Sequence, residues 1–525
     1  MSATSIWGPL RQPAFRGLWL CGAAFFIGNG MQAMVAAWLM MELSGSSFLA
    51  ALVQTAVFLP MFVLALPAGV LADTTDRRRL ILLSLAGQLA ASMLLAVLAL
   101  GGWVGPGSVL FLVFVCGCCL AMLTPAWNSS VVDPVPREEW PQAITVISIA
   151  YNAARAVGPT VAGVMFAAMG AGWVFLVTVA TTALMAVATR RWPPKAHPPS
   201  RLPAERLWGG TLSGLRFAWH SRIILAQLVR VTAYGAAGSA LWALLPTIAQ
   251  RMGTGAQGFG LLMGCMGSGA VLAGLMLGRL RVRFSLDHIV MVTIVVFSLV
   301  LALAALVRLP WLIYLAMAAG GGAWMTAMSI FNSATQASAP PWVRSRAVAL
   351  HMVAALGAYA MGSAFWGAVS DILGLSTALL AAAGVMAAGA LLAQSFPLRV
   401  GDTHEVTQGV TPWDELFIEA EPAPEEGPIA VEISYRIRPG TDEAFLDAAA
   451  CLRAPRKRDG ATFWRVYKDL GQPSRYIERF IVESWADYLH QRARATLADQ
   501  ALEAQLRTFL IEGESARVSH YIAER

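Results

Sequence analysis

The chain carries twelve runs of roughly 20 predominantly apolar residues, about the length an α-helix needs to cross a hydrocarbon core about 30 Å thick. They lie near residues 16–41, 48–72, 80–101, 108–131, 142–168 and 171–190, then 223–249, 257–279, 286–307, 311–337, 343–369 and 375–396. Repeated spans of this kind exclude a single water-soluble globule, as does a charged fraction of 13% against the usual value of about 25%. Backbone groups in lipid must bond within their own segment, so the runs predict helices. The expected fold class is an all-α polytopic membrane protein of twelve transmembrane helices, arranged six plus six, followed by an α+β domain.

The formal charge of +7 is not spread evenly. Residues 1–400 hold 23 Arg and Lys against 9 Asp and Glu, net +14, whereas residues 401–525 hold 15 against 22, net −7. The positive excess sits in the connections. With the N-terminus inside, the inner loops carry Arg77, Arg78, Arg79, Arg137, Arg190, Arg191, Lys195, Arg201, Arg206, Arg216, Arg222, Arg279, Arg281, Arg283, Arg344 and Arg346, and the outer loops only Arg251 and Arg308. Arginine retained on the cytoplasmic face gives this pattern. Both termini are thus expected in the cytoplasm, the first helix is expected to be retained, and nucleic acid is excluded as a partner. The six cysteines read as buried small apolar residues, with no metal-binding pattern.

Composition divides the chain into a first six-helix half (1–190), a cytoplasmic linker with an amphipathic helix (191–222), a second six-helix half (223–398), an acidic linker (399–427) and a cytoplasmic domain (428–525). The Pro-rich start of residues 191–222, followed by Arg216, His220 and Arg222 among Leu, Trp and Phe, predicts a helix lying on the membrane surface. In 428–525 the periodicity alternates β-α-β-β-α-β, the ferredoxin-like order, with one helix expected in each connection. This tail resembles the dimeric α/β-barrel domains of small monooxygenases. His490, His520, Trp464, Tyr467 and Glu478 are candidate pocket residues, but no nucleophile–base pair or metal spacing accompanies them. A structural, dimerising or regulatory module is therefore favoured over an active enzyme.

The densest motif is Gly69-Val70-Leu71-Ala72-Asp73-Thr74-Thr75-Asp76-Arg77-Arg78-Arg79 after the second span. It is followed by Pro125-Ala126 in the fourth span, VPREEWPQA in the next loop, and Asn152-Ala153-Ala154-Arg155-Ala156-Val157-Gly158-Pro159 with Gly163 in the fifth. This set, in this order, resembles the major facilitator superfamily, in its enterobactin-exporter-like (transmembrane secretion effector) branch. LLPTIAQRMG (244–253) and GFGLLMGCMGSGAV (258–271) are similar to its seventh and eighth spans. Asp76 departs from the family's loop motif, where a second glycine is usual.

The resemblance implies a secondary transporter that exports a small molecule (a siderophore, drug or metabolite) by alternating access and proton antiport, in the bacterial inner membrane, without a cofactor. A membrane-anchored enzyme or sensor built on the tail is the alternative. Ionisable and polar groups inside spans are costly and mark candidate sites. Arg155, with Tyr151 and Asn152 one turn earlier, is expected to face a central cavity. Further cavity candidates are Asn29, Gln32, Gln54, Asn128, Arg230, Tyr234, Asn332, Gln336, His351 and Tyr359, with Trp38, Trp242, Trp324 and Trp366 for an aromatic substrate. Every acidic residue before position 400 falls near a span end or in a loop, which leaves the proton site unassigned. Glu42 and Asp73 are the nearest candidates.

Overall fold

The computed structural model describes residues 8–132, 134–136, 139–191, 207–340, 342–409 and 422–524. Some side chains within helices also lie outside the described set, among them those of Gly69, Asp73, Asn152 and Arg155.

The first six long helices are α1 (Pro13–Ser44), α2 (Ser47–Thr74), α3 (Arg77–Leu100), α4 (Pro106–Ser130), α5 (Trp140–Met169) and α6 (Ala171–Arg191). After the short α7 (Leu207–His220) come α8 (Arg222–Arg251), α9 (Gly255–Arg283), α10 (Leu286–Leu306), α11 (Pro310–Ser338), α12 (Arg344–Leu373) and α13 (Leu375–Ala388), the last continued by a 3-10 turn and α14 (Leu392–Ser395). Eleven described helices are long and apolar enough to cross a membrane. The expected fifth span, α5, is a helix of 30 residues.

Local chemistry sets the ends of these helices. Ser46 caps α2 by accepting from the Leu49 N–H at 3.1 Å, and Ser285 caps α10 through His288 N–H. Gly45 ends α1 at φ 63°, a left-handed position that suits glycine. Asp76 accepts from the Arg78 and Arg79 amides at 2.9 and 3.3 Å, so the residue that departs from the family motif is the N-cap of α3.

The chain divides into two units. The first comprises residues up to 201, 230–331 and 352–395, and so holds α1–α6, α9, α10, α13 and most of α8, α11 and α12. The second comprises 202–229, 332–351 and 396–525.

The second unit contains the tail. After α15 (Thr403–Val406) come β1 (Ile429–Arg436), α16 (Asp442–Ala450), α17 (Arg453–Asp459), β2 (Phe463–Lys468), β3 (Arg475–Val482), α18 (Trp485–Arg494), α19 (Leu497–Arg507) and β4 (Arg517–Ile522). The sheet is antiparallel, in the order β2-β3-β1-β4, which is the ferredoxin-like arrangement. Alternate residues of β1, Ile429, Val431, Ile433 and Tyr435, are buried together with Phe445, Phe480 and Trp485.

Each single helix expected between strands is in fact two. Pro455 lacks the N–H that would bond one turn back, and it fits only in the first turn of a new helix, α17. Thr496 and Asp499 form a capping box that starts α19 afresh.

The amphipathic α7 buries part of its apolar surface against protein and leaves Leu215 and Trp219 exposed. Phe217 and Ala218 are buried with Ile224, Ala339, Val343 and Ala347. Arg216 Nη1 donates to Gly460 O at 3.1 Å, and the Arg458 guanidinium lies 6.0 Å from the Phe217 ring centre. On α18, Arg494 stacks over Trp342 at 4.4 Å. The tail is thereby fixed to α7 and to the segment that opens α12.

Candidate transport pathway

Within the first unit the two six-helix halves meet along two seams. On one, α5 crosses α9: a Cβ built on Gly163 would lie 2.7 Å from Ala256 O, and one on Gly260 would lie 2.7 Å from Pro159 O. Thr160 faces Gly264 on the same seam, and Ala156 faces Gly267. Small residues permit this close backbone approach. Gly158 serves a different contact, because its added Cβ would meet Ile27 O of α1 at 2.8 Å. Of the three residues of the span 5 motif, then, Gly158 packs within its half, Gly163 packs between halves, and Pro159 is buried beside both.

Along the second seam Thr55 Oγ1 donates to Ala360 O at 2.8 Å, and Phe58 meets Tyr359 edge-on at 4.7 Å. At its end Ser46 Oγ donates to Asp371 at 2.5 Å and Thr247 Oγ1 donates to Ser47 Oγ at 3.0 Å. Trp38 stacks on Phe259 nearby and donates to Glu42 at 2.6 Å. By chain alternation this is the end opposite the arginine-bearing junctions α2–α3 and α9–α10.

The polar candidates separate into groups. Asn29 and Gln32 face the interior of the first half: Gln88 Nε2 donates to Asn29 Oδ1 at 2.7 Å, Ser92 Oγ donates to Gln32 Oε1 at 2.9 Å, and Gln32 Nε2 reaches Cys116 Sγ at 3.2 Å. These bonds join α1, α3 and α4. Gln88 and Ser92 were not among the sequence candidates, although a glutamine inside LILLSLAGQLAAS was a visible signal.

In the second half, Tyr234, Phe297, Trp324 and Phe331 form an aromatic cluster that Trp242 and Tyr359 extend through Trp324. Trp366 donates to Ala236 O at 2.8 Å. Beside this cluster, a small cavity of about 10 Å³ is lined by Arg230, Tyr234, Ile294, Phe331 and Met386. Arg230 is 2% exposed and its guanidinium is ion-paired with Asp287, at the N-terminus of α10.

The other candidates are more scattered. Gln54 is half-buried on α2, Asn128 is exposed on α4, and Tyr151 is exposed and edge-on to Phe26 at 5.1 Å. Gln336 donates to Asn332 at 3.0 Å, and His351 is buried 3.3 Å from Thr335 Oγ1. The side chains of Arg155, Asn152, Gly69 and Asp73 lie outside the described set. At the start of α3, Arg79 pairs with Asp76 at 3.6 Å and Arg78 donates to Arg190 O. Arg77 opens α3. Among the described residues of the first unit, the carboxylates Glu42, Asp76, Glu139, Asp287 and Asp371 all sit at or near helix ends.

In the tail, Trp464 Nε1 and Tyr435 OH both donate to Glu478 at 2.9 Å, and Tyr488 OH lies 2.5 Å from His520 Nε2. Tyr467 and His490 are exposed. A small cavity in the tail is lined by Val431, Ile433, Phe480, Glu503 and others, and by none of the five expected residues.

The family model of the transmembrane secretion effector matches residues 4–525. The multidrug efflux pump Tap of Mycolicibacterium fortuitum is 26% identical over 67% of this chain and 88% of its own. Tap of Mycobacterium tuberculosis (strain ATCC 25618 / H37Rv) is 28% identical over 74% and 94%. The enterobactin exporter EntS of Shigella boydii serotype 4 is 26% identical over 51% of this chain and 64% of its own. Among solved structures, the nucleoside transporter NupG (D323A mutant) is similar in fold with a TM-score of 0.62, at 14% identity over 73% of this chain and all of that one. A bacterial homologue of the lysosomal transporter Spinster gives 0.54, at 16% identity over 73% of this chain and 95% of its own.

Proposed function

Because the chain belongs to the transmembrane secretion effector family of major facilitator transporters, we propose that it exports a drug-sized or siderophore-like small molecule from the cytoplasm by alternating access, with protons returning in exchange. The observation that carries this reading is the pair of interhalf seams, α5 on α9 and α2 on α12, both drawn tight at the end opposite the arginine-bearing loops. If those loops face the cytoplasm, the seams close the outer side. Two rigid halves rocking about a central site would open them in the other state. The names of the relatives, multidrug efflux pump and enterobactin exporter, support an outward direction and the two substrate classes.

Substrate would bind between residues 1–190 and 223–398, where the aromatic cluster around Trp324 offers stacking surface and Arg155 a cation. The tail, 428–525, would act from the cytoplasm as a regulatory or dimerising module.

The test is transport into inside-out inner-membrane vesicles energised by a proton gradient, with tetracycline and ferric-free enterobactin as probes. Uptake of either that collapses with the gradient supports the reading. Equal uptake in vesicles lacking the protein overturns it. Arg155→Ala should impair uptake at normal expression, and unchanged uptake would remove Arg155 from the pathway.

A further inference from the structure

Helix α7 keeps an apolar stripe outside the protein. Leu215 and Trp219, one turn apart, are 51% and 72% exposed, whereas Phe217 and Ala218 are buried. Only Ser221 separates α7 from α8, a helix long and apolar enough to span a membrane. Trp219 therefore stands beside the point where the chain enters the bilayer.

Arginines border the stripe on both sides. Arg216 lies about 100° round the helix from Leu215, and Gly214 about 100° the other way. Arg346 of α12 packs against Gly214, where an added Cβ would stand 2.9 Å from Arg346 Cβ. Behind them is Arg494 of α18, whose guanidinium covers Trp342 at 4.4 Å and donates through Nη1 to Asp459 O at 3.1 Å. The next carbonyl, Gly460 O, accepts from Arg216. Burial first, and then the charges of Arg346 and Arg216, hold Arg494 below its ordinary value, against the pull of Asp459 and Asp487. Of the nearby carboxylates, Asp459 is taken up by Arg458 through both oxygens at 2.8 Å, and Glu483 is 69% exposed and 3.7 Å from Arg216 Nη2. Cations that crowd one another in this way are relieved by an anion.

We propose that the outward face of α7 binds anionic phospholipid of the adjoining leaflet, with Leu215 and Trp219 among the acyl chains and headgroup phosphate accepting from Arg216 and Arg346. The pattern is that of an interfacial helix: apolar side chains enter the headgroup boundary, tryptophan favours that depth, and flanking arginines reach phosphate. A zwitterionic headgroup offers the same phosphate with an ammonium beside it and no net charge. An anionic one also offsets the repulsion among Arg216, Arg346 and Arg494. Because Arg216 and Arg494 hold successive carbonyls at the end of α17, lipid bound at α7 steadies the attachment of the tail. This binding requires α8 to span the membrane and is independent of what is exported.

The experiment uses the purified full chain in nanodiscs of phosphatidylcholine alone or mixed with phosphatidylglycerol, with hydrogen–deuterium exchange read peptide by peptide. Phosphatidylglycerol should slow exchange in the peptides covering α7 and the start of α12, with a smaller effect in α17. Soluble glycerol phosphate added to phosphatidylcholine nanodiscs should not. Arg216→Gln and Arg346→Gln should each lower the apparent affinity for phosphatidylglycerol, titrated by its mole fraction, about fivefold, the effect of one charge at an anionic surface. Replacing both Leu215 and Trp219 by Ser should remove the protection. Arg465→Gln, at an exposed position of β2, is the control and should leave it unchanged. Equal exchange in the two nanodiscs, or equal protection by soluble glycerol phosphate, overturns the proposal in the unmodified chain even where a variant fails to fold. No transported substrate is present, so neither result bears on export.

Discussion

Gly163 of α5 and Gly260 of α9 face each other with no room for a side chain on either. A Cβ on Gly163 would stand 3.1 Å from Gly260 Cα, and one on Gly260 would stand 3.0 Å from Gly163 Cα. Backbone meets backbone here, and the neighbouring atoms cannot swing aside as a flexible side chain would.

Gly163→Leu or Gly260→Leu should therefore hold the seam apart. Export should fall by an order of magnitude or more at unchanged membrane abundance, and a cysteine placed at position 46 should gain access to an impermeant thiol reagent. Gly278→Ala, where an added Cβ meets nothing within 4 Å, is the control and should transport normally. Normal transport by Gly163→Leu would take this contact out of the cycle.

The Arg230–Asp287 pair makes an asymmetric prediction. Removing one partner of a buried ion pair costs about 3–5 kcal/mol, and the 33% exposure of the Asp287 side chain puts this pair toward or below the lower bound. The buried partner is Arg230, at 2%, so Asp287→Leu, which takes a carboxylate away from the buried guanidinium, should lower the melting temperature more than Arg230→Met. The double replacement should recover part of the loss. Thermal unfolding in detergent checks the order, and equal effects of the two single changes would contradict it.

Gln32 and Asn29 bond to α3 and α4 within one half, so they act on stability. Interhelical bonds in membranes average about 0.6 kcal/mol, so Gln32→Leu should shift melting by a few degrees or less and leave the substrate concentration dependence of transport unchanged. A changed apparent affinity with unaltered melting would return Gln32 to the pathway.

These cases show what was legible in the sequence. Helix number and order followed from lipid's demand for internally satisfied backbone, and the tail's strands from their alternation. Which face of α1 carries Gln32 did not, because α1 is apolar all round and a span buried on several sides has no polar face to orient it. Arg456 and Arg458 lie in the run APRKRD, yet both are buried, Arg456 between the distant Glu478 and Glu503, and Arg458 between its neighbour Asp459 and the distant Asp499. Long-range pairing of this kind leaves no local trace. The capping of α3 by Asp76 was visible as a departure from a motif, and its purpose became clear only from the two amides it accepts.

His520 gives the tail a pH dependence whose sign is fixed by burial. Desolvation first, and the charge of Arg492 second, hold the imidazole below its ordinary value of 6.5, while Tyr488 OH lies against its Nε2. The unfolded chain takes up a proton near 6.5 and the folded tail only at lower pH, so unfolding binds protons in that interval. The contribution is fully present above 6.5 and is lost as pH falls toward the folded value. Burial pushes the carboxyls of Asp459 and Glu503 up, which acts in the opposite sense. The informative comparison is thus between the parent chain and His520→Gln, in which those carboxylates are common to both. Limited proteolysis of the full chain should cut the parent's tail faster at about pH 5.5 than at about pH 7.5, the interval in which histidine titrates, and His520→Gln should narrow that difference. An unchanged difference would show that His520 is not the group responsible.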